Sequence, residues 1–200
     1  MLIRKMLEMG NANEIALTAP SRLPLTYEGL RSHCINIGEQ LGALGLQSGD
    51  RAAIVLPNGP EMASCFLAVA STFSAAPLNP AYKQSEYHFY LKDLAPKIVI
   101  VEEGSKNPVR AAAKELGIRI VEAKVVDSAA AGVFNLCNET ANITMPHSSS
   151  EALVLHTSGT TSRPKVVPLT QENIVTSAEN ISASLQLTAS DHCLNIMPLF

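Results

Sequence analysis

Three features of the sequence predict an α/β fold built on parallel-sheet layers with flanking helices. Short apolar runs (51–56, 75–77, 97–101, 118–121 and 152–156) sit between turn residues. Longer segments between them repeat their apolar residues every three or four positions, the period of a helix with one buried face. Strands alternating with helices of about ten to fifteen residues imply βαβ units that cross over right-handed. The composition agrees: 46% of the 200 residues are apolar and 16% charged, which excludes disordered and fibrous classes.

Taken in order, Thr26 is placed to cap a helix whose stripe is Leu30, Cys34, Ile37, Leu41 and Leu44. Gly45 stands where a helix end needs a left-handed residue. Residues 46–50 form a turn, and 51–56 are a strand, short and apolar enough to be buried on both faces. A second helix starts near Pro60 with Met62, Cys65, Phe66, Val69 and Phe73 on one side. A strand at 75–77 and a helix from Gln84 to Leu94 follow, the latter aligning Tyr87, Tyr90, Leu91 and Leu94. Next come a strand (97–101), a helix (107–116) and a strand (118–121). Residues 123–150, with AAAG, an Asn-rich piece and SSSE, break this rhythm and read as a linker-like stretch. Beyond it lie a strand (152–156), a hydroxyl-rich loop (157–165), an extended piece (166–169) and a helix opening at Thr170. That helix is expected to turn Ile174, Val175, Ala178, Ile181 and Leu185 inward. The last run, 193–200, is apolar and carries no closing cap, which predicts that the chain is the front part of something larger.

Charge and composition narrow the partners. Fifteen basic residues against eighteen acidic leave a net charge of −3, and there is no Trp, so neither nucleic acid nor an anionic membrane is expected as a partner. The first fifteen residues lack the apolar run of a secretion signal, and the most apolar window, 62–78, is broken by Ser64, Ser71, Thr72, Ser74 and Pro77. Cys34, Cys65, Cys137 and Cys193 have neither metal-site nor disulfide-framework spacing. Three glycosylation sequons, at Asn138, Asn142 and Asn180, carry no weight without a secretory route. The chain reads as reduced, soluble and cytoplasmic. No metal-ligating set is expected: His33, His88, His147 and His192 share no useful spacing.

One segment carries chemistry. Residues 157–165 read Thr-Ser-Gly-Thr-Thr-Ser-Arg-Pro-Lys, with five hydroxyls, a glycine and a closing lysine among nine residues. A polyphosphate site needs short donors, a backbone free to turn its N–H groups inward, and positive charge. The loop leaves a strand and precedes a helix, a setting that suits an anion. It does not fit the G-x-x-x-x-G-K-[ST] pattern, because Gly159 stands alone and Val166 follows Lys165. A solvated surface loop has the same composition, and the serine-rich tracts at 148–150 and 182–184 show that the chain uses Ser freely elsewhere.

LVLHTSGTTSRPKVVPLTQENI (153–174) resembles the phosphate-binding signature of the adenylate-forming superfamily of acyl-CoA synthetases, luciferases and peptide-synthetase adenylation domains. LTYEGL (25–30) resembles the family's first motif, and LPNGPEMASCFLAVA (56–70) with AAPLNPAY (75–82) its second region. NIMPLF (195–200) resembles the start of a motif that continues into a substrate segment. Within the superfamily, HTSGTTSRPK and APLNPAY are most similar to the oxalate–CoA ligase branch, also described as peroxisomal-CoA-synthetase-like. Two positions depart from the usual pattern, Ser162 and Val166, where most members carry Gly. The oxalate-type branch shares Ser-Arg at the first.

The resemblance implies that residues 1–200 are the N-terminal portion of an AMP-binding domain, the first part of the large N-terminal domain of an adenylate-forming enzyme, without its C-terminal domain. Thr157, Ser158, Gly159, Thr160, Thr161 and Lys165 would hold the β- and γ-phosphates of ATP, with Lys165 as the catalytic cation. The implied activity is ATP-dependent acid–CoA ligation with ATP, Mg²⁺ and CoA: a carboxylic acid is adenylated, then passed to CoA. A coumarate- or fatty-acid-type ligase is a neighbouring alternative, and a non-catalytic nucleotide-binding relative is the distant one. The family's ribose-binding Asp, metal-binding motif and catalytic C-terminal Lys would lie downstream, as would any peroxisomal tag, so these residues alone are expected to be inactive without the remainder of their domain. His156 is expected to be a partly buried histidine satisfied by backbone, Asn79 and Tyr82 turn and packing residues, and Val166 extended with negative φ, since Pro168 follows closely.

Overall fold

The computed structural model describes residues 1–126, 128–157 and 164–200. It opens with a short helix, α1 (Ile3–Leu7), and a small antiparallel pair, β1 (Ile15–Leu17) with β2 (Leu25–Thr26). These pieces are too short for either period to show in the sequence. α2 (Tyr27–Ala43) then begins as expected: the Gly29 N–H donates to Thr26 Oγ1 at 3.1 Å, and Leu30, Cys34, Ile37 and Leu41 are all buried. Gly45 has φ +95°, and a Cβ there would meet nothing within 4 Å, so the dihedral and not crowding calls for glycine.

Three βαβ units follow: β3 (Arg51–Val55), α3 (Pro60–Ala70), β4 (Ser74–Pro77), α4 (Gln84–Leu94), β5 (Ile98–Glu102), α5 (Val109–Glu115) and β6 (Arg119–Val125). With β7 (Phe134–Asn135), β8 (Glu151–Thr157) and β9 (Lys165–Thr170) they form a seven-stranded sheet in the order β7-β6-β5-β3-β4-β8-β9. α6 (Gln171–Leu185) closes the regular structure. β3 shows why its sequence lacks polar alternation. Ala52 and Ile54 face α2 and α3, Ala53 and Val55 face α4 and α5, and all four are buried. Helices thus cover both faces of a mostly parallel sheet. Among the described residues no helix is long and apolar enough to cross a membrane.

The two sheet edges depart from the parallel expectation. β7 runs antiparallel to β6, and β9 antiparallel to β8. Only seven residues separate Thr157 from Lys165, whereas a parallel return needs a crossover of about a dozen or more; a hairpin is the geometry left.

The stretch 123–150 carries the end of β6 and all of β7, and it packs. Ala131 and Phe134 have no exposed surface, Ser64 Oγ donates to Gly132 O at 2.6 Å, and Gln40 Oε1 accepts from the N–H groups of Leu136 (2.7 Å) and Cys137 (3.1 Å). Its buried residues are few and unevenly spaced, so the polar composition dominates any pattern reading. α6 also differs. Gln171 is wholly buried, its Oε1 accepting from Ile3 N and its Nε2 donating to Ala70 O, and Val175 packs inward, but Ile181 and Leu185 are 53% and 66% exposed. The helix docks by its first turns against α1, β8 and β9.

Candidate functional site

The hydroxyl-rich loop is carried by the β8–β9 hairpin, and its two ends are fixed by the hairpin's register. Thr157 pairs with Lys165 and His156 with Val166. Opposed residues in an antiparallel pair share a face, and successive residues alternate. Thr157 and Lys165 therefore present their exposed side chains together, on the face opposite to His156 and Val166. Ser158, Gly159, Thr160 and Thr161, expected to grip phosphate, lie outside the described residues, as do Ser162 and Arg163.

The expected order of loop, extended piece and helix holds, but the expectation that the following helix makes a setting suited to an anion at the loop does not. The loop opens onto β9, and α6 begins only at Gln171, beyond Thr170, which pairs with Glu151 at the far end of the hairpin. Five residue steps of strand put that end about 17 Å from Lys165. The α6 N-terminus is already satisfied by its own capping box, Thr170 with Asn173. Its dipole serves nothing at the loop.

Val166 is extended within β9 and is not among the residues with positive φ. It also packs against the layer formed by α4 and α5. The expectation of an extended Val166 without positive φ holds.

His156 differs from its expectation in its partner. Its side chain is only 7% exposed, and the hydrogen bond runs to a carboxylate: Nε2 donates to Asp93 Oδ2 at 2.9 Å. The ring meets Tyr90 edge-on at 4.7 Å, and Tyr90 stacks on Tyr82 at 4.9 Å. Tyr82 and Asn79 hold the turn after β4 as expected. Asn79 Oδ1 accepts from Ala81 N–H, and Asn79 O accepts from Tyr87 Oη. Burial pushes Tyr82 and Tyr87 up to about 12, which leaves both as neutral packing groups at physiological pH.

At the opposite end of β8, Glu151 takes two bonds from Arg51 (2.7 and 2.8 Å) and one from Ser74 Oγ (2.7 Å), while Arg51 Nη1 reaches Leu94 O at 3.1 Å. Burial alone would raise the Glu151 carboxyl, but the bonds from Arg51 and Ser74 outweigh it and hold it below its ordinary value. β3, β4, β8 and the end of α4 are stapled there, far from the loop.

Two further features were not legible locally. Asn58, after β3, donates from Nδ2 to Met197 O at 3.4 Å and accepts at Oδ1 from Leu199 N–H at 3.1 Å, seating residues 197–199 across 139 positions of sequence or more. Beside it, where the strand order reverses between β3 and β5, lies a cavity of about 120 Å³ touched by Gly59, Glu61, Glu102 and Val125. Such switch points hold ligands in many α/β sheets, but this one is below the roughly 300 Å³ at which small-molecule pockets begin. Among the described residues no three His, Cys, Asp or Glu side chains gather as a metal site. Cys34 and Cys65 are buried, and burial pushes the Cys34 thiol up to about 12.

The profile of the AMP-binding enzyme family matches residues 9–200. The chain is 37% identical over 192 residues to an oxalate–CoA ligase of Arabidopsis thaliana, covering 92% of this chain and 37% of that protein. It is 36% identical over 178 residues to an oxalate–CoA ligase of Saccharomyces cerevisiae, covering 76% and 33%. It thus spans about a third of the length of these curated relatives. Among solved structures, a putative long-chain-fatty-acid CoA ligase from Rhodopseudomonas palustris superposes with a TM-score of 0.80 at 20% identity, covering 98% of this chain and 50% of that one.

Proposed function

Since the chain belongs to the AMP-binding enzyme family, we propose that it forms the N-terminal portion of the AMP-binding domain of an ATP-dependent acid–CoA ligase of the oxalate type. The observation that carries this is the hairpin that brings Thr157 and Lys165 together at the base of a loop of hydroxyls and glycine. Two oxalate–CoA ligases at 37% and 36% identity support the choice of acid.

The reaction has two steps. The carboxylate attacks the α-phosphate of ATP and expels pyrophosphate, and the thiol of CoA then displaces AMP from the acyl-adenylate. In the first step, Thr157, Ser158, Gly159, Thr160 and Thr161 would donate to the β- and γ-phosphate oxygens. Lys165 would neutralise the charge that builds on the departing pyrophosphate. Catalysis of this kind is positioning and electrostatics. Magnesium enters as the nucleotide's counter-ion. The described residues gather no carboxylate cluster to hold it, so no step is assigned to the metal here.

The test is oxalate-dependent exchange of pyrophosphate into ATP by the full-length protein. Exchange with oxalate, and little with coumarate or a fatty acid, is the expected result. Exchange with coumarate alone would move the assignment to that branch, and none with any acid would favour a non-catalytic nucleotide-binding relative. Residues 1–200 by themselves are expected to stay at background.

A further inference from the structure

We propose that His156 is a positioning residue for the nucleotide, acting through Asp93 and Tyr90. The inference rests on the phosphate-binding reading of the loop and adds a residue to it. Its starting point is which contacts orient the tip of the hairpin. β9 is the last strand of the sheet, and β8 pairs with β4 at a single position, Ala75 with Leu153. β4 then ends at Pro77, which has no N–H to give to a ladder. β4 and β8 nevertheless run side by side, and Val154 is buried, so the hairpin is held by apolar packing as well as by its own ladder. Apolar contacts are non-directional, so the tilt of an edge hairpin is set by the directed bonds it makes.

His156 supplies the tie. Val154, His156 and Val166 lie on the face that looks toward α4. The valines offer only apolar contact, whereas His156 makes a directed bond. The carboxylate of Asp93 can only accept, so Nε2 carries the proton, and the edge of the ring rests on Tyr90. Tyr90 is in turn stacked on Tyr82, in the turn that follows β4. The hairpin is thereby referenced both to α4 and to the end of the central sheet. One residue on, Thr157 and Lys165 are register partners, so any tilt at His156 moves the first hydroxyl and the lysine together. Nucleotide affinity should depend on this strut although His156 faces away from the phosphates.

The experiment measures ATP affinity of the full-length protein by calorimetry with magnesium present, alongside KM values for ATP, oxalate and CoA and the thermal midpoint. His156→Leu removes the directed bond and should weaken ATP about three- to tenfold, the range of one lost hydrogen bond, with KM for oxalate and CoA unchanged. His156→Gln places an amide donor near the same point and should restore ATP affinity to within about twofold of the natural protein. Asp93→Ala, a change at a half-exposed surface carboxylate, should weaken ATP in the same selective way and guards against misfolding of the histidine variant. Unchanged ATP affinity in both His156→Leu and Asp93→Ala overturns the proposal. So does a loss shared equally by all three substrates, because that is the mark of general destabilisation. If the natural protein binds ATP yet exchanges no pyrophosphate, the ligase reading falls and the affinity series still decides on His156. If it binds no ATP, both fall.

Discussion

At its N-terminal end strand β8 is fastened by Glu151, whose carboxylate takes three hydrogen bonds from Arg51 and Ser74. At its C-terminal end the fastening is one directed bond, His156 to Asp93, with a ring contact and the apolar packing of Val154 and Val166, and the exposed Thr157 and Lys165 follow directly. The first end joins three strands through a bidentate ion pair with both side chains mostly enclosed. The second joins a hairpin to one helix and leaves its polar groups facing outward. On the phosphate-binding reading proposed above, a single strand would pass from a region built to stay put to one that receives a charged ligand. The difference teaches that, on this reading, stability and binding would fall at opposite ends of the same element, and substitutions should separate them.

The largest effect should come from the interior, on the acid side. Burial pushes His33 down to about 4 from 6.5, and its ring packs edge-on against Phe134. A histidine kept neutral by the fold gives up stability as pH falls from 6.5, where the unfolded chain begins to take the proton, to about 4, where the folded chain does. That gap, at 1.36 kcal/mol per pH unit, amounts to about 3 kcal/mol. Glu151, held below its ordinary value of 4.5, begins to give up its contribution as pH falls past that value and loses it through its folded pKa. His33→Leu should flatten the decline between pH 6.5 and 4.5 in denaturant titrations and leave in place the Glu151 loss that begins as pH falls past 4.5. An unchanged profile would mean that the ring is hydrated in the folded state.

Next in size is Glu151→Ala. It strands Arg51, whose side chain is 27% exposed, and should cost about 2–3 kcal/mol of stability in denaturant titrations. KM for ATP should not move in the protein that remains folded. A shift in KM would mean that the two ends of β8 are mechanically coupled, which would break the comparison.

Lys165→Ala tests the other end in the opposite sense. A charge-assisted contact to phosphate is worth about 1.5–3 kcal/mol, so the ATP step should fall about ten- to a hundredfold. The side chain is exposed and packs little, so the melting midpoint should hold nearly constant. The reverse outcome, a stability loss with normal kinetics, would make the loop a solvated surface feature.

What the sequence disclosed follows the same division. The βαβ half announces itself because each element carries its own period and punctuation: the Thr26 cap, Gly45 at φ +95°, and the unbroken apolar run of β3. The loop announces itself by composition. The ties between elements do not, because they span long gaps: His156 meets Asp93 across 63 positions and Arg51 meets Glu151 across 100. No window of sequence contains both partners. The outer face of α6 misled for another reason. Ile181 and Leu185 follow helical period faithfully, but period reports which residues share a face, not what covers that face. The antiparallel turn at β9 was readable from the shortness of its loop, a constraint stronger than the alternation that suggested parallel strands.

The smallest expected effect concerns Val166, where this chain leaves its family's usual glycine. A β-branched residue with positive φ would carry about 1–3 kcal/mol of strain, and relieving it would speed the loop's chemistry. Val166 instead lies in extended β9 and packs on the α4–α5 layer, where valine suits both the strand and its buried side. Val166→Gly should therefore remove packing and add backbone freedom, lowering stability by about 1 kcal/mol. The adenylation rate of the full-length protein should rise by less than tenfold, if at all, since any gain comes only from easing crowding beside Lys165. A hundredfold gain, about 2.7 kcal/mol, would be too large for crowding at an unstrained residue. It would mean that the natural loop is impaired by its valine, and the chain would then be better read as a nucleotide-binding relative that has lost turnover.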